Sequence, residues 1–298
     1  MMIERMEIIN WRRQYLRQVR AYRAAGKRVY YLDETWVCAG HTTSRKWVDT
    51  TVKTAAEALR RGLSFGLQDP TSKGARLIIV HIGSDAGFVD GALYMYESSR
   101  GADYHHDMNG EVFEAWLSSV LPELEPGSVI VLDNASYHSR KTEKIPNTSW
   151  KKSDIIEWLH GKGVLSANLS LLKAELLGLV YNLHIEPTYV VDEMIKQSAR
   201  FVLRTPPYHC TLNPIEMAWA NLKAYIARRN RTFKLDEAKE LFAEAVAQFT
   251  PENWRDCVNH VIEQVEQEMW TLDDIIEKEI SVEPVIITFT DSDFEDSD

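Results

Sequence analysis

The feature that most constrains the fold is a short apolar run that ends in an acid. Residues 129–132 are Val-Ile-Val-Leu, and Pro126-Gly127 precedes them. A run that is apolar on both faces is typical of a central strand covered by helices on both sides. The run ends at Asp133, and a charge at the end of a buried strand is costly unless it is paired or binds a cation. Asp133 is therefore either a metal ligand or a turn-forming residue, and strand geometry favours neither.

Composition limits the class of protein. The chain has 298 residues and 45% hydrophobic content, enough for one large core or two modest ones. No apolar run approaches the roughly 20 residues needed to cross a bilayer, and the arginine-rich N-terminus does not read as a signal peptide, so we expect no membrane partner. The cysteines Cys38, Cys210 and Cys257 are scattered, which predicts a reducing compartment without disulfides or zinc.

Charge is distributed unevenly along the chain. The net charge is -10, but residues 263–298 alone contain 13 acidic residues and one lysine. The remaining body is slightly basic and can carry local basic patches for nucleic acid. Acidic segments are usually solvated, and residues 291–298 cannot bury a core. We therefore expect an acidic tail over residues 263–298 that is disordered at its end.

A basic helix is predicted at the N-terminus. Apolar residues recur at helical spacing over residues 8–25 with arginines between them, and Gly26 is a natural stop. Residues 1–27 are thus a basic helix and linker before the main domain. Its arginines, Arg12 and Arg13 among them, are either a DNA-facing stripe or a solvated helix face.

Three strands follow the helix. Residues 28–38, 76–83 and 92–97 are rich in β-branched or aromatic residues, and their succession predicts an antiparallel meander. Asp33 lies inside the first strand, where a carboxylate has poor strand propensity. Taken alone, Asp33 reads as structural more readily than as catalytic. Its neighbour Glu34 points to the opposite face.

A helix should connect this meander to the strand that ends at Asp133. Asn109 has the character of an N-cap before an apolar stripe, and the helix forms the crossover expected of a parallel strand pair. The preceding residues 104–107, Tyr-His-His-Asp, have the types of metal ligands. Adjacent histidines in a strand point to opposite faces, so we do not expect both to bind one ion.

Residues 145–200 predict a helical insertion. Its helices are expected to start at Ser153 and Asn168, with a third over residues 190–196. Leucine-rich stripes of this kind are usually core or a partner-facing surface. Our hypothesis for the insertion is a dimer or DNA-end surface.

The last motif begins after a short strand at residues 201–204. Asn213 before Pro214 predicts a helix start, with Asn as the N-cap. Glu216 would then lie where a glutamate reaches back to the N-cap backbone, which is its structural alternative to catalysis. The helix should continue through a buried stripe and carry phosphate-contacting cations. These cations are Lys223, Arg228, Arg229 and Arg231.

Three acids in this order of elements indicate a specific plan. Asp33 in the first strand, Asp133 after a later strand and Glu216 opening a late helix match an α/β, ribonuclease-H-like mixed sheet flanked by helices. Three stretches resemble the DDE catalytic domain of mariner-superfamily transposases, and the likeness runs through most of the chain. They are LDET at 32–35, VLDNASYHS at 131–139 and PPYHCTLNPIEMAWANLK at 206–223, of which the NPIE tetrad is the most specific.

The resemblance implies a catalytic domain over residues 28–262 that cuts DNA at transposon ends and transfers the freed strand to target DNA. Asp33, Asp133 and Glu216 would hold two Mg²⁺ (or Mn²⁺) ions, since two hard cations can activate water and stabilise the leaving oxygen. Asp33 would bridge both ions. The expected partners are double-stranded DNA and a second copy of the chain, and the expected location is the nucleus. Supporting roles fall to Asn134, His138 and Asn213.

Two departures from the family leave the function open. The 82 residues between Asp133 and Glu216 exceed the common mariner spacing and indicate a long-spacing branch. Family members also usually carry an N-terminal helix-turn-helix region, so this chain is expected to be truncated, domesticated, or the protein as made. The alternatives are a non-catalytic DNA-binding or protein-interaction module and, less favoured, a nuclease acting on RNA–DNA hybrids.

Overall fold

The structure is a computed structural model that describes residues 5–43, 57, 60, 61, 74–98 and 108–280. Two of the stretches that lie outside these ranges are residues 66–73, GLQDPTSK, and the Tyr-His-His-Asp cluster at 104–107. In the part of the chain that is described, no helix is long and apolar enough to span a bilayer.

A mixed sheet forms the centre of the molecule. Its strands follow in the order β3-β2-β1-β5-β6, and β4 also pairs with β2. The β1–β2 and β2–β4 pairs are antiparallel, which confirms the meander, and β5 runs parallel to both β1 and β6. The strands are β1 Val29–Cys38, β2 Arg76–Ser84, β3 Gly87–Phe88, β4 Tyr94–Glu97, β5 Val129–Leu132 and β6 Phe201–Arg204.

Nine α-helices belong to the described part of the chain. They are α1 Met6–Ala24, α2 Gly110–Val120, α3 Lys152–Gly161, α4 Lys173–Asn182, α5 Val190–Gln197, α6 Ile215–Arg229, α7 Leu235–Gln248, α8 Pro251–His260 and α9 Gln267–Ile280. A π-helical turn, Val261–Glu266, joins α8 to α9.

Local signals located some helix ends correctly and missed others. Gly26 follows α1 in a left-handed conformation with φ 67°, and the Asn109 side chain caps α2 by accepting the Val112 N–H at 3.0 Å. The predicted start of α4 at Asn168 is wrong. The Asn168 side chain instead accepts the Ser170 N–H at 2.9 Å in a local turn, and α4 begins at Lys173.

Both faces of β5 are buried, as its unbroken apolar run predicts. Val129 and Val131 pack into a core beneath α1, α6, α7 and α8. Ile130 and Leu132, which alternate with them, pack into a second core formed with α2 and α5. The sheet therefore separates two cores, and the charged residue that ends β5 must lie at the edge of both.

The predicted insertion is divided between two environments. Helices α3 and α4 pack on each other through their own apolar cluster, which includes Ile155 and Leu176. Helix α5 instead contributes Val191 and Ile195 to the second core of the sheet. The α3–α4 unit is thus held together by its own apolar cluster, separate from the two cores of the sheet.

The first part of the predicted acidic tail is folded, and the expectation that its acids are solvated is wrong for Glu266 and Asp273. Glu266 and Asp273 are buried against α1. Arg23 pairs with Glu266 at 2.8 Å, and the buried Arg12 pairs with Asp273. The acids are not solvated because the arginines of α1 neutralise them. Residues 281–298 lie outside the described ranges.

Candidate active site

Two of the three predicted acids lie at one end of the sheet. Tyr31 pairs with Val131 in the parallel β1–β5 ladder, and Asp33 and Asp133 each follow two residues later. Because side chains alternate along a strand, both carboxylates share the face of Tyr31 and Val131, which α6 covers. Strand pairing thus brings these two distant positions in the sequence together.

The third acid reaches the same end of the sheet on α6. The Asn213 side-chain amide donates to the Leu32 carbonyl at 3.1 Å, and Trp219 Nε1–H donates to Asp33 Oδ2 at 3.0 Å. These two bonds hold the beginning of α6 against β1 beside Asp33. Glu216 lies in the first turn of the helix and is exposed.

The capping role predicted for Asn213 is wrong. Pro214 occupies the N-cap position of α6, and the helix end has no side-chain cap. The Asn213 side chain is buried and engages β1 instead. The structural alternative for Glu216, in which it would reach back to the backbone of an Asn213 N-cap, therefore has no N-cap residue to bond.

Neighbouring carboxylates contribute to the raised pKa values of Asp33 and Glu216. Burial raises the pKa of Asp33 well above its usual value, and the negative charges of Glu34, Glu216 and Asp133 raise it further. Burial also raises the pKa of Glu216, where Lys223 acts in the opposite direction and Asp133 in the same. Like charges held close together disfavour ionisation. A bound cation would reduce this repulsion and favour the ionised carboxylates.

The carboxylate oxygens of the three acids are suitable ligands for a hard metal ion, although the side chains are not yet close enough together to bind one. Within the described ranges, no three His, Cys, Asp or Glu side chains are grouped tightly enough to hold a metal as they stand. The three acids nevertheless supply only carboxylate oxygens, the ligands that Mg²⁺ prefers, and Mg²⁺ keeps several waters. Ala135 and His138 both bond to Asp133 Oδ1, which leaves Oδ2 for a cation.

Asp133 proves to be a turn-forming residue as well as a member of the cluster. Its Oδ1 accepts the Ala135 N–H at 2.9 Å, and His138 Nδ1 lies 2.6 Å from the same oxygen. Burial raises the pKa of Asp133, but the hydrogen bond and charge of His138 outweigh it and lower the pKa overall. The two interpretations left open by the sequence are therefore compatible.

Glu34, which sequence reasoning left without a role, completes this arrangement from the other face of β1. His138 Nε2 lies 3.0 Å from Glu34 Oε1, and the Tyr137 hydroxyl donates to Oε2 at 3.1 Å. Burial lowers the pKa of His138, but the charge of Glu34 and the bonds to both carboxylates raise it to about 9. A protonated imidazole donates from both ring nitrogens, which matches the placement of one carboxylate beside each nitrogen. The one signal in the sequence that could have identified Glu34 is that a glutamate shares a strand face with apolar residues.

Two further residues fix the turn that follows β5. The Asn134 side-chain amide donates to the Thr205 carbonyl at 2.7 Å. Arg204 was not predicted: it donates to the Asp133 carbonyl at 3.1 Å and to the His138 carbonyl at 2.8 Å. The same guanidinium pairs with Asp192 of α5 at 2.7 Å. The turn is thereby tied to β6 and α5.

The structure contradicts one of the two DNA contacts predicted on α1, that of Arg12. Arg12 is buried, bonds to Asp273 and lies 2.9 Å from His209 Nε2, so its charge does not reach solvent. Arg13 is half-buried and also interacts within the protein. The prediction for Arg12 is wrong because its counter-ion comes from a distant helix that the sequence does not pair with it.

The predicted phosphate-contacting cations on α6 and just beyond it lie either beside the three acids or at the solvent-exposed surface. Burial lowers the pKa of Lys223, and the charges of Glu216 and Asp33 oppose that effect, so this lysine borders the acid cluster. Arg229 stacks over Tyr225, with 3.6 Å between the guanidinium carbon and the ring centroid. Arg228, Arg229 and Arg231 are exposed.

Comparison with known proteins places these features in context. The model of the DDE superfamily endonuclease family matches residues 89–241, about half of the chain, including Asp133 and Glu216. A search of curated proteins found no match. Among solved structures, the Mos1 transposase paired-end complex with left transposon end has a TM-score of 0.56 at 13% identity, covering 90% of this chain and 63% of that chain.

Two other Mos1 structures are similar to the same extent. The Mos1 mariner paired end complex with Mn has a TM-score of 0.53 at 12% identity, over 90% of this chain and 63% of that one. The Mos1 strand transfer complex has a TM-score of 0.53 at 13% identity, over 90% and 62%. This likeness confirms the ribonuclease-H-like fold. The chain spans less than two thirds of the length of these relatives.

Proposed function

The chain belongs to the DDE superfamily endonucleases, and we propose that it cuts DNA phosphodiester bonds with divalent cations held by Asp33, Asp133 and Glu216. The observation that carries the proposal is the convergence of these three carboxylates where β5 ends beside the middle of β1. The negative charges of Glu216 and Asp133 help burial to raise the pKa of Asp33 well above its ordinary value, and the charge of Asp133 also helps to raise the pKa of Glu216. Cations would relieve that repulsion.

The chain's own side chains prepare the site. Trp219 holds one oxygen of Asp33, and His138 holds one oxygen of Asp133, so both carboxylates have restricted orientations. Glu216 is exposed and faces solvent, where DNA can approach. Bound Mg²⁺ or Mn²⁺ would supply Lewis-acid stabilisation and a water of lowered pKa.

The substrate is proposed from the relatives. Their descriptions name complexes with transposon ends and a strand transfer complex. We propose double-stranded transposon-end DNA as the substrate here, with hydrolysis freeing a 3′ hydroxyl that attacks target DNA. Lys223, Arg228, Arg229 and Arg231 would contact phosphates. A homodimer holding two ends, a nuclear location and membership of a long-spacing branch belong to the same proposal.

The first test is magnesium-dependent nicking of supercoiled DNA by the wild type and Asp133→Asn. Loss of one metal ligand removes several kcal/mol of transition-state stabilisation, so we expect nicking to fall by at least about 100-fold. Glu157→Gln, which removes an exposed carboxylate on α3, is the matched control and should cut normally. Equal cleavage by wild type and Asp133→Asn would reject the site assignment.

The second candidate function is a transposase-derived DNA-binding module without catalysis. The observation in its favour is that the acids are not grouped as ready metal ligands in the described residues. A binding module should retain DNA equally well with Mg²⁺ and with EDTA, and the wild type should bind neither Mg²⁺ nor Mn²⁺. Calorimetric detection of Mn²⁺ binding that Asp133→Asn weakens would exclude this candidate.

A further inference from the structure

Glu34 is a buried carboxylate whose place in the fold needs an explanation. Its side chain is 1% exposed. It lies on the face of β1 that Tyr30 and Leu32 bury in the second core, among apolar side chains. A buried carboxylate costs several kcal/mol unless hydrogen bonds satisfy it. A purely packing role would be served better by an apolar residue.

The partners of Glu34 all lie in the turn that carries Asp133. Oε1 bonds to His138 at 3.0 Å, and Oε2 bonds to the Tyr137 hydroxyl at 3.1 Å. The other ring nitrogen of His138 bonds to Asp133 at 2.6 Å. The three side chains therefore form a continuous path, Glu34–His138–Asp133, that passes from one face of the sheet to the other.

Packing leaves the imidazole one orientation. The His138 side chain is 1% exposed, and its ring centroid lies 4.2 Å from that of Phe113 and 4.6 Å from that of Tyr137. With one nitrogen anchored to each carboxylate, the ring cannot flip without breaking both bonds. Asp133 consequently offers a fixed Oδ2 to the site.

We propose that Glu34 is a positioning residue that, through His138, sets the orientation in which Asp133 receives a cation. The proposal rests on the proposed function, since it gives Glu34 a task only if Asp133 is a ligand. Mg²⁺ demands near-ideal octahedral geometry, so a ligand free to rotate binds it poorly. Groups that orient a metal ligand typically contribute 10–100-fold in affinity or activity.

The test uses Glu34→Gln, which keeps the side-chain volume and a carbonyl acceptor for His138. Mn²⁺ binding is measured on the full chain without DNA, from the electron paramagnetic resonance signal of free Mn²⁺, and Mg²⁺ binding by competition. We expect affinity for Mg²⁺ to fall by about 10–100-fold and the half-saturating Mg²⁺ concentration for nicking to rise in parallel. The imidazole ¹⁵N–¹H signals of His138 in the metal-free protein should shift as well.

Two variants separate positioning from stability. Tyr137→Phe removes one hydrogen bond from Glu34 but leaves His138 in place, so it should weaken cation affinity in the same direction by a smaller factor. It also decides the question if Glu34→Gln does not fold. Glu266→Gln removes another buried carboxylate, which lies in the π-helical turn before α9 and pairs with Arg23 of α1. It should lower thermal stability and leave cation affinity unchanged.

The outcomes are distinct. Unchanged cation affinity in folded Glu34→Gln, with normal binding by the wild type, would overturn the positioning role and leave the proposed function intact. A wild type that binds neither cation would refute the proposed metal-dependent function and the positioning role with it. Loss of affinity in Glu266→Gln equal to that in Glu34→Gln would also overturn the proposal, because the effect would then follow stability alone.

Discussion

At the scale of single residues, the charge of His138 makes stability depend on pH. Its pKa rises from the ordinary 6.5 to about 9 in the folded protein. A raised pKa means that protonation of His138 favours the folded state. The contribution of His138 to the free energy of unfolding is therefore complete below about pH 6.5 and is lost as the pH rises through about 9. We expect the metal-free wild type to lose at most about 3 kcal/mol of unfolding free energy across this window. Urea unfolding in EDTA at a series of pH values measures it.

The control for this prediction is His138→Gln, which has no titrating ring. Its unfolding free energy should vary less between about pH 6.5 and 9. The lowered pKa of Asp133 acts in the opposite sense and outside this window, since its contribution is lost only as the pH falls below the ordinary 3.8. Parallel profiles for wild type and His138→Gln would contradict the raised pKa of His138 in the folded protein.

At the scale of elements, the packing of α9 on α1 depends on buried charge pairs. Arg12 donates from Nε to Asp273 at 3.1 Å, and both side chains are buried. Asp273→Asn would leave the Arg12 charge buried without its counter-ion. We therefore expect the free energy of unfolding to fall by about 3–5 kcal/mol, measured by urea denaturation at neutral pH.

A matched variant on the same helix is Glu268→Gln, which removes an exposed acid. It should change stability by no more than about 0.5 kcal/mol. The double variant Arg12→Met with Asp273→Leu should recover stability relative to Asp273→Asn, because apolar side chains replace both charges. If Asp273→Asn is as stable as the wild type, α9 does not depend on this pair.

At the scale of the whole molecule, the α3–α4 unit should be dispensable for folding. Its apolar cluster is separate from both cores of the sheet. The chain leaves and returns at neighbouring points, where the Thr142 N–H donates to the Thr188 carbonyl at 2.9 Å. Replacing residues 144–186 with a short Gly-Ser linker should preserve cooperative unfolding and change its free energy by about 2 kcal/mol or less. Circular dichroism during urea titration measures this.

The same deletion tests our hypothesis that the unit is a dimer or DNA-end surface. Several large apolar side chains of the unit are exposed: Leu165, Leu169, Leu172 and Tyr181. If they join two copies, the deletion should lower the mass of the DNA complex in light scattering. An unchanged mass would count against the dimer role, and a deletion variant that does not fold would show that the unit supports the sheet.

Much of the proposed site could be predicted because its acids follow local signals. Asp33 and Glu216 stand in a strand and in the first turn of a helix, and Asp133 ends an apolar run, all of which periodicity and turn residues reveal. Glu34 and Arg204 were missed because their roles arise only across elements. His138 lies 104 positions from Glu34, and Asp133 lies 71 from Arg204.

By itself, the sequence determined the order of elements, the strand buried on both faces and the location of the three acids, because each depends on neighbours within a few residues. Only the tertiary structure decided which charges are buried and with what partner. Arg12 looked like a DNA contact and Asp273 like part of a solvated tail, yet they pair across 261 positions. A local pattern reports that a residue is charged, but its hydration depends on which distant segment packs against it.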